Sequence, residues 1–143
     1  MSDATTLLFV YGTLRRDRRG RLHPLLRGKA RFAGTATTRG HLYDLGAYPG
    51  LTPGNDQVSG ELYHLHDARR AWPALDRYEE CDPTNPDAEY VRRLITVRRP
   101  GGTELQAWCY VYNRTLRPRQ RLHHGDYQKR TQRRALEQGE HHD

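Results

Sequence analysis

Along this chain, segments rich in β-branched and aromatic residues follow one another with a single convincing helical stretch among them. That order restricts the fold more than any one motif does. Thr6 to Tyr11 (TLLFVY) is a nearly continuous apolar run stopped by Gly12, which reads as a buried strand delivered into a turn. Gly40 to Leu45 (GHLYDL) reads as a second strand. Val58 to Leu65 alternates, with Val58, Gly60, Leu62 and His64 on one face and Ser59, Glu61, Tyr63 and Leu65 on the other. Glu89 to Arg99 and Glu104 to Tyr112 are joined by Pro100, Gly101 and Gly102, the composition of a hairpin. Behind Asp67, a candidate N-cap, Ala68, Ala71, Leu75 and Tyr78 recur at helical spacing. A helix is predicted to end near Tyr78 or Glu79, with Pro73 either interrupting it or starting the helix proper.

Five or six strands, one helix and no regular alternation between them predict an α+β fold: a small, mostly antiparallel β-barrel with flanking short helices. A doubly wound nucleotide fold is disfavoured, because neither G-x-x-x-x-G-K-[ST] nor G-x-G-x-x-G occurs in the chain. Gly46 to Asn55 (GAYPGLTPGN) is so rich in Gly and Pro that it is predicted as a shaped loop. The mixed pattern of Arg15 to Gly34 supports only a helical turn around Pro24 to Arg27.

A length of 143 residues suits one domain. Residues 1–128 are predicted to form it. Residues 129–143 form a basic tail whose apolar residues, Ala135 and Leu136, are too few to order it. The net charge of +7 raises the question of nucleic acid. However, 22 of the 24 basic residues are Arg and are spread over the whole chain. The denser runs, Arg15 to Arg31 and Arg114 to Asp143, read as a solvated loop and a solvated tail, so nucleic acid is disfavoured as the partner. Two cysteines, no basic leader and no long apolar run predict a soluble, cytoplasmic protein away from membranes. The eight histidines show no H-E-x-x-H or Cys/His spacing, so no metal and no cofactor are predicted. Cys81 has no predicted base partner and reads as an ordinary thiol.

Several of these segments, taken in order, carry a family likeness. LLFVYGTLRR at 7–16, GHLYDLGAYPGLTPG at 40–54, VSGELYHL at 58–65, LDRYEE at 75–80, EYVRRLITV at 89–97 and AWCYVY at 107–112 together resemble the γ-glutamylcyclotransferase-like family. The likeness is to its short bacterial members and to γ-glutamylamine cyclotransferases. His124-Gly125-Asp126-Tyr127 is similar to a Gly-Asp-aromatic element that often follows the last strand in these proteins.

The resemblance implies a small β-barrel, a small-molecule γ-glutamyl substrate, and a substrate loop at Tyr11, Gly12, Thr13 and Leu14. It also implies a catalytic carboxylate at the Glu of an L-D-x-x-E pattern, here Glu79. Members often have Gly after that Glu, whereas this chain has Glu80. By residue pattern alone, Glu79 and Glu80 equally fit a solvated helix end, and Tyr11 and Tyr90 equally fit pocket hydroxyls or core packing. Two other functions remain open: a binding or regulatory module of the same fold without turnover, and a weak nucleic-acid binder.

The implied reaction makes few demands on a protein. In a γ-glutamyl amide the substrate's α-amine attacks its own γ-carbonyl, closing the lactam of 5-oxoproline and releasing an amine. Holding the reactive rotamer lowers the barrier by up to roughly 7–11 kcal/mol in intramolecular models. One carboxylate can then take a proton from the α-ammonium and return it to the departing amine. Its pKa is expected to be raised by a helix C-terminus, a partly desolvated pocket and a neighbouring acid. Backbone N–H groups around Gly12, Thr13 and Leu14 suit the substrate's α-carboxylate, with glycine permitting close approach.

Overall fold

The computed structural model describes residues 6–46, 48–79, 81, 87–114 and 120–128. Five strands and one helix follow in the order β1 (Leu7–Val10), β2 (Ala30–Asp44), β3 (Pro49–Leu65), α1 (Ala68–Tyr78), β4 (Tyr90–Arg98) and β5 (Glu104–Tyr112). The strands form a closed barrel in the order β1-β3-β2-β4-β5. Each pair is antiparallel except β1 with β5, which meet in parallel at Leu8 and Trp108. Among the described residues, no helix is long and apolar enough to cross a membrane.

The continuous apolar run of β1 has a structural cause: both of its faces are covered. Leu7 and Phe9 belong to the barrel interior with Leu42, Val58, Leu62, Val97, Ala107 and Cys109. Leu8 and Val10 belong to a second cluster with Leu14, Leu26, Tyr63, Ala71 and Leu75. β3 does the same between Val58 and Leu65, where Leu62 and Tyr63 face different clusters and both are fully buried. Burying one such side chain contributes about 1.5–3 kcal/mol, so these double-sided strands carry much of the fold. The second cluster fixes where α1 lies, because Ala71 and Leu75 are its buried residues.

The structure corrects three expectations. Gly46 to Asn55 is not a loop throughout: after a turn closed by Leu45 N–H to the Tyr48 carbonyl (3.0 Å), β3 begins at Pro49. β3 pairs with β1 only from Glu61 to His64, so Pro49 lies on a stretch paired on one side alone. Pro53, Gly54 and Asn55 fall in the register shift between Gly40 and His41, where a missing N–H costs no ladder bond. β2 begins at Ala30, ten residues earlier than its apolar end suggested, because its outward positions are polar and a second shift lies between Phe32 and Thr35. Within the irregular stretch before it, the expected turn is present, with Leu26 and Arg27 N–H both bonded to the His23 carbonyl. Pro73 neither breaks α1 nor starts it. It sits on an exposed position inside the helix, which runs from Ala68 with Asp67 as N-cap, without a side-chain cap bond.

After β5, Gly125 accepts a hydrogen bond from Ser59 N–H (2.9 Å), and Tyr127 is buried in the barrel core. The tail after Gln128 lies outside the described residues.

Candidate active site

The chain leaves β1 at Tyr11 and turns at once, with Arg15 N–H bonded to the Gly12 carbonyl at 3.1 Å. A side chain on Gly12 would meet the Pro49 ring, so glycine is what lets the loop pack against the start of β3. Leu14 is buried under α1 and anchors the turn from below. Among the described residues, the N–H groups of Gly12, Thr13 and Leu14 have no hydrogen-bond acceptor. They border a small cavity of about 30 Å³, together with Tyr11, Tyr48, Pro49, Glu79, Tyr90 and Tyr110.

Glu61 on β3 holds the far side of this loop. It is 4% exposed, accepts hydrogen bonds from Arg16 N–H (2.8 Å) and the Tyr63 hydroxyl (2.9 Å), and lies 3.7 Å from both Arg15 Nε and Arg16 Nε. Arg15 Nη1 also reaches Asp126 Oδ1 at 3.0 Å, tying the loop to the segment after β5. Alternation placed Glu61 on one face of its strand but gave no sign of this anchoring role. The signal would have been an acid on the same strand face as Tyr63 and Leu65, since an acid buried there needs a partner.

Glu79 comes from the other side. It is the C-cap of α1, its N–H bonded to the Leu75 carbonyl, and its half-buried side chain reaches the cavity. The helix is held in place by Asp76. Its Oδ1 accepts a 2.6 Å hydrogen bond from the Tyr110 hydroxyl of β5 and lies 3.4 Å from Arg92 Nη1 of β4. Arg92 in turn stacks over the Trp72 ring of α1 at 4.1 Å. A second strap joins the helix end to the loop, where the Tyr78 hydroxyl and Thr13 Oγ1 are 2.9 Å apart.

Burial, followed by the charge of Glu89, pushes the Glu79 carboxyl up to about 7. The neighbouring acid is thus Glu89, ten residues further along the chain, whereas Glu80 lies outside the described residues. Glu89 is itself 7% exposed and accepts a 2.8 Å hydrogen bond from the Tyr48 hydroxyl at the cavity wall. Burial and the nearby Glu89 charge both favour the protonated form of Glu79, so its carboxyl is poised near neutral pH.

Tyr11 and Tyr90 both line the cavity, but their hydroxyl protons are committed elsewhere. Tyr11 donates to the Tyr110 carbonyl (2.6 Å) and accepts from Leu51 N–H (3.2 Å), while Tyr90 donates to the Pro49 carbonyl (2.6 Å). Burial, the largest cause for each, pushes both phenols far above their ordinary range. They shape the wall and brace β3. Cys81 is buried, its N–H is bonded to the Asp76 carbonyl, and burial pushes its thiol up, which opposes thiolate chemistry. Among the described residues, no group of three or more His, Cys, Asp or Glu side chains is arranged to hold a metal ion.

Residues 8–129 match the model of the family described as gamma-glutamyl cyclotransferase, AIG2-like. The chain is 35% identical over 122 residues to the gamma-glutamylcyclotransferase family protein YtfP of Escherichia coli, covering 84% of this chain and 94% of that one. It is 36% identical over 109 residues to the gamma-L-glutamyl-butirosin B gamma-glutamyl cyclotransferase of Niallia circulans, covering 75% and 67%. The solution structure of the Escherichia coli protein superimposes with a TM-score of 0.56 at 32% identity, over 87% of this chain and 98% of that one.

Proposed function

The chain belongs to the gamma-glutamyl cyclotransferase, AIG2-like family, and from that premise we propose that it converts a γ-glutamyl amine or γ-glutamyl amino acid into 5-oxoproline and the free amine, with Glu79 as general base and then general acid. The observation that carries this reading is the Glu79 carboxyl, raised to about 7 in a cavity bordered by the unpartnered amides of Gly12, Thr13 and Leu14.

The substrate's α-carboxylate is held by those loop amides, which bind an anion without a cationic side chain. Glu79 in its ionised form takes a proton from the α-ammonium. The freed amine attacks the γ-carbonyl, a C–N bond forms and closes the lactam, and the original amide C–N bond breaks. That proton, now on Glu79, passes to the departing nitrogen as the amide C–N bond breaks. The re-ionised Glu79 takes the second proton from the ring nitrogen, leaving a neutral lactam, and hands it to the released amine, which leaves protonated. A carboxyl with a pKa near 7 populates both forms at neutral pH, which suits a group that must act in both directions. With the Tyr11 and Tyr90 hydroxyls occupied, neither donates a proton in this scheme. A γ-glutamyl group reaches the Glu79 carboxyl past the rim of this cavity, where Tyr48 is 38% exposed. The Niallia circulans relative is named for γ-L-glutamyl-butirosin B, so within this reaction class the group leaving the γ-glutamyl carbonyl need not be an amino acid.

Incubating the purified protein with a panel of γ-glutamyl amines and amino acids, with 5-oxoproline as the readout, tests the proposal. Product from at least one class is expected. Folded protein that yields none across a broad panel would favour a non-catalytic binding module.

A further inference from the structure

β2 meets β4 through one paired position, Thr37 with Arg98, whereas β4 with β5 pairs all along its length. The two hairpins splay apart beside this contact and leave a cleft of about 680 Å³. That volume lies within the roughly 300–1,000 Å³ of pockets that take small organic ligands. The cleft shares no lining residue with the cavity at Glu79.

Its lining is one-sided in charge. Arg15, Arg98 and Arg99 border it with the neutral donors Thr37, Gln57 and Ser59, and no carboxylate borders it. Arg15 is already engaged with Asp126 and lies near Glu61, so its charge is largely balanced. Arg98 and Arg99 are not. Neither makes an ion pair among the described residues, although Glu104 is the cross-strand neighbour of Arg98. Arg99 Nε is buried without a hydrogen-bond partner, a costly state for a cationic donor unless an acceptor arrives. The uncompensated charge is also felt at His64, whose imidazole is held below its ordinary range by burial and then by Arg31 and Arg99.

We propose that this seam between β2 and β4 is an anion site, built by Arg98 and Arg99 with Arg15, Thr37, Ser59 and Gln57, for a small organic molecule carrying two or more phosphate or carboxylate groups. Arginine's planar fork grips either group through paired N–H donors, and the hydroxyl and amide donors satisfy the remaining lone pairs. A concave site with donors converging from three strands and two loops suits a compact anion better than an extended nucleic-acid backbone, which tracks along a basic stripe.

Calorimetric titration of the full chain at physiological salt, with inorganic pyrophosphate in one arm and citrate in the other, separates the phosphate from the carboxylate source. Saturable one-to-one binding of at least one anion is expected. Replacing Arg98 and Arg99 together by Ala should weaken it about tenfold or more, while replacing the exposed Arg18 and Arg19 together changes it less than about twofold. Glu79→Gln should bind as the parent does, whatever its effect on turnover. If the arginine variant fails to fold, Thr37→Val keeps the charge and should still weaken binding severalfold. The proposal is overturned by absence of saturable binding to both anions, or by equal losses in the two arginine pairs. It is also overturned by a single-stranded oligonucleotide that binds more tightly than either anion and depends on Arg98 and Arg99.

Discussion

The ring of Pro49 stands where a side chain on Gly12 would have to be: its Cγ lies 2.5 Å and its Cδ 2.7 Å from the Cβ position that any other residue would add. Loop and strand are thereby locked face to face. Gly12→Ala should destabilise the fold by about 1–3 kcal/mol, the usual cost of overpacking, and raise KM more than it lowers kcat. Combining it with Pro49→Ala, which removes the colliding atoms, should recover part of both losses. A double-mutant cycle from denaturant unfolding measures the coupling, and strict additivity would contradict this contact.

Removing the Glu79 carboxylate should stop proton transfer and leave the cavity walls intact. Glu79→Gln is expected to lower turnover about a hundredfold or more, while Glu80→Gln does much less. The proposed reaction requires Glu79 to be ionised before attack, so kcat/KM of the parent should rise with pH through about 7. A pH profile without that limb would move the base elsewhere.

The same carboxyl makes stability depend on pH. Its folded pKa of about 7 exceeds the 4.5 of an unperturbed glutamate, so its contribution is fully present below about 4.5 and is lost as pH rises through 7. The upper bound on this loss is about 3 kcal/mol, reduced because the side chain is only half-buried. Glu79→Gln should therefore melt above the parent at pH 8 and level with it at pH 4. A variant less stable than the parent at pH 8 would show that the charge is accommodated without cost.

Asp76 positions the helix end. Asp76→Ala leaves the Tyr110 hydroxyl without its acceptor and Arg92 without its counter-charge, at a cost of about 1–3 kcal/mol. Because Glu79 hangs from the same helix, kcat should fall as well. Adding Tyr110→Phe to the Asp76 variant should cost little more, since the orphaned hydroxyl is then gone. An Asp76→Ala protein with full turnover would show that the helix end holds its place without this bond.

The domain should end where Tyr127 packs into the barrel core and Gly125 accepts from Ser59. Truncation after Gln128 is expected to leave melting temperature and turnover nearly unchanged, whereas truncation before His123 should unfold the protein. A fall of several degrees in the first variant would assign the tail a structural role.

Much of this architecture was legible in the residues. The stop at Gly12, the helical spacing that ends at Glu79 and the Pro100–Gly102 hairpin are local signals, set by side-chain period and backbone preference within a few positions. The ordered motifs of the family carried the position of Glu79, which residue pattern alone could not separate from a solvated helix end. Tertiary structure decided what local signals cannot carry. Barrel closure covers the inner face of β1, and the packing of α1 covers its outer face. The tertiary fold runs β3 through the Gly- and Pro-rich segment along a half-unpaired edge and brings Glu89 beside Glu79. It also commits the Tyr11 and Tyr90 hydroxyls to backbone carbonyls and places Pro49 against Gly12. Each of these depends on contacts between residues far apart in the chain, and a pattern with period 2 or 3.6 records which face is buried but not what lies across it.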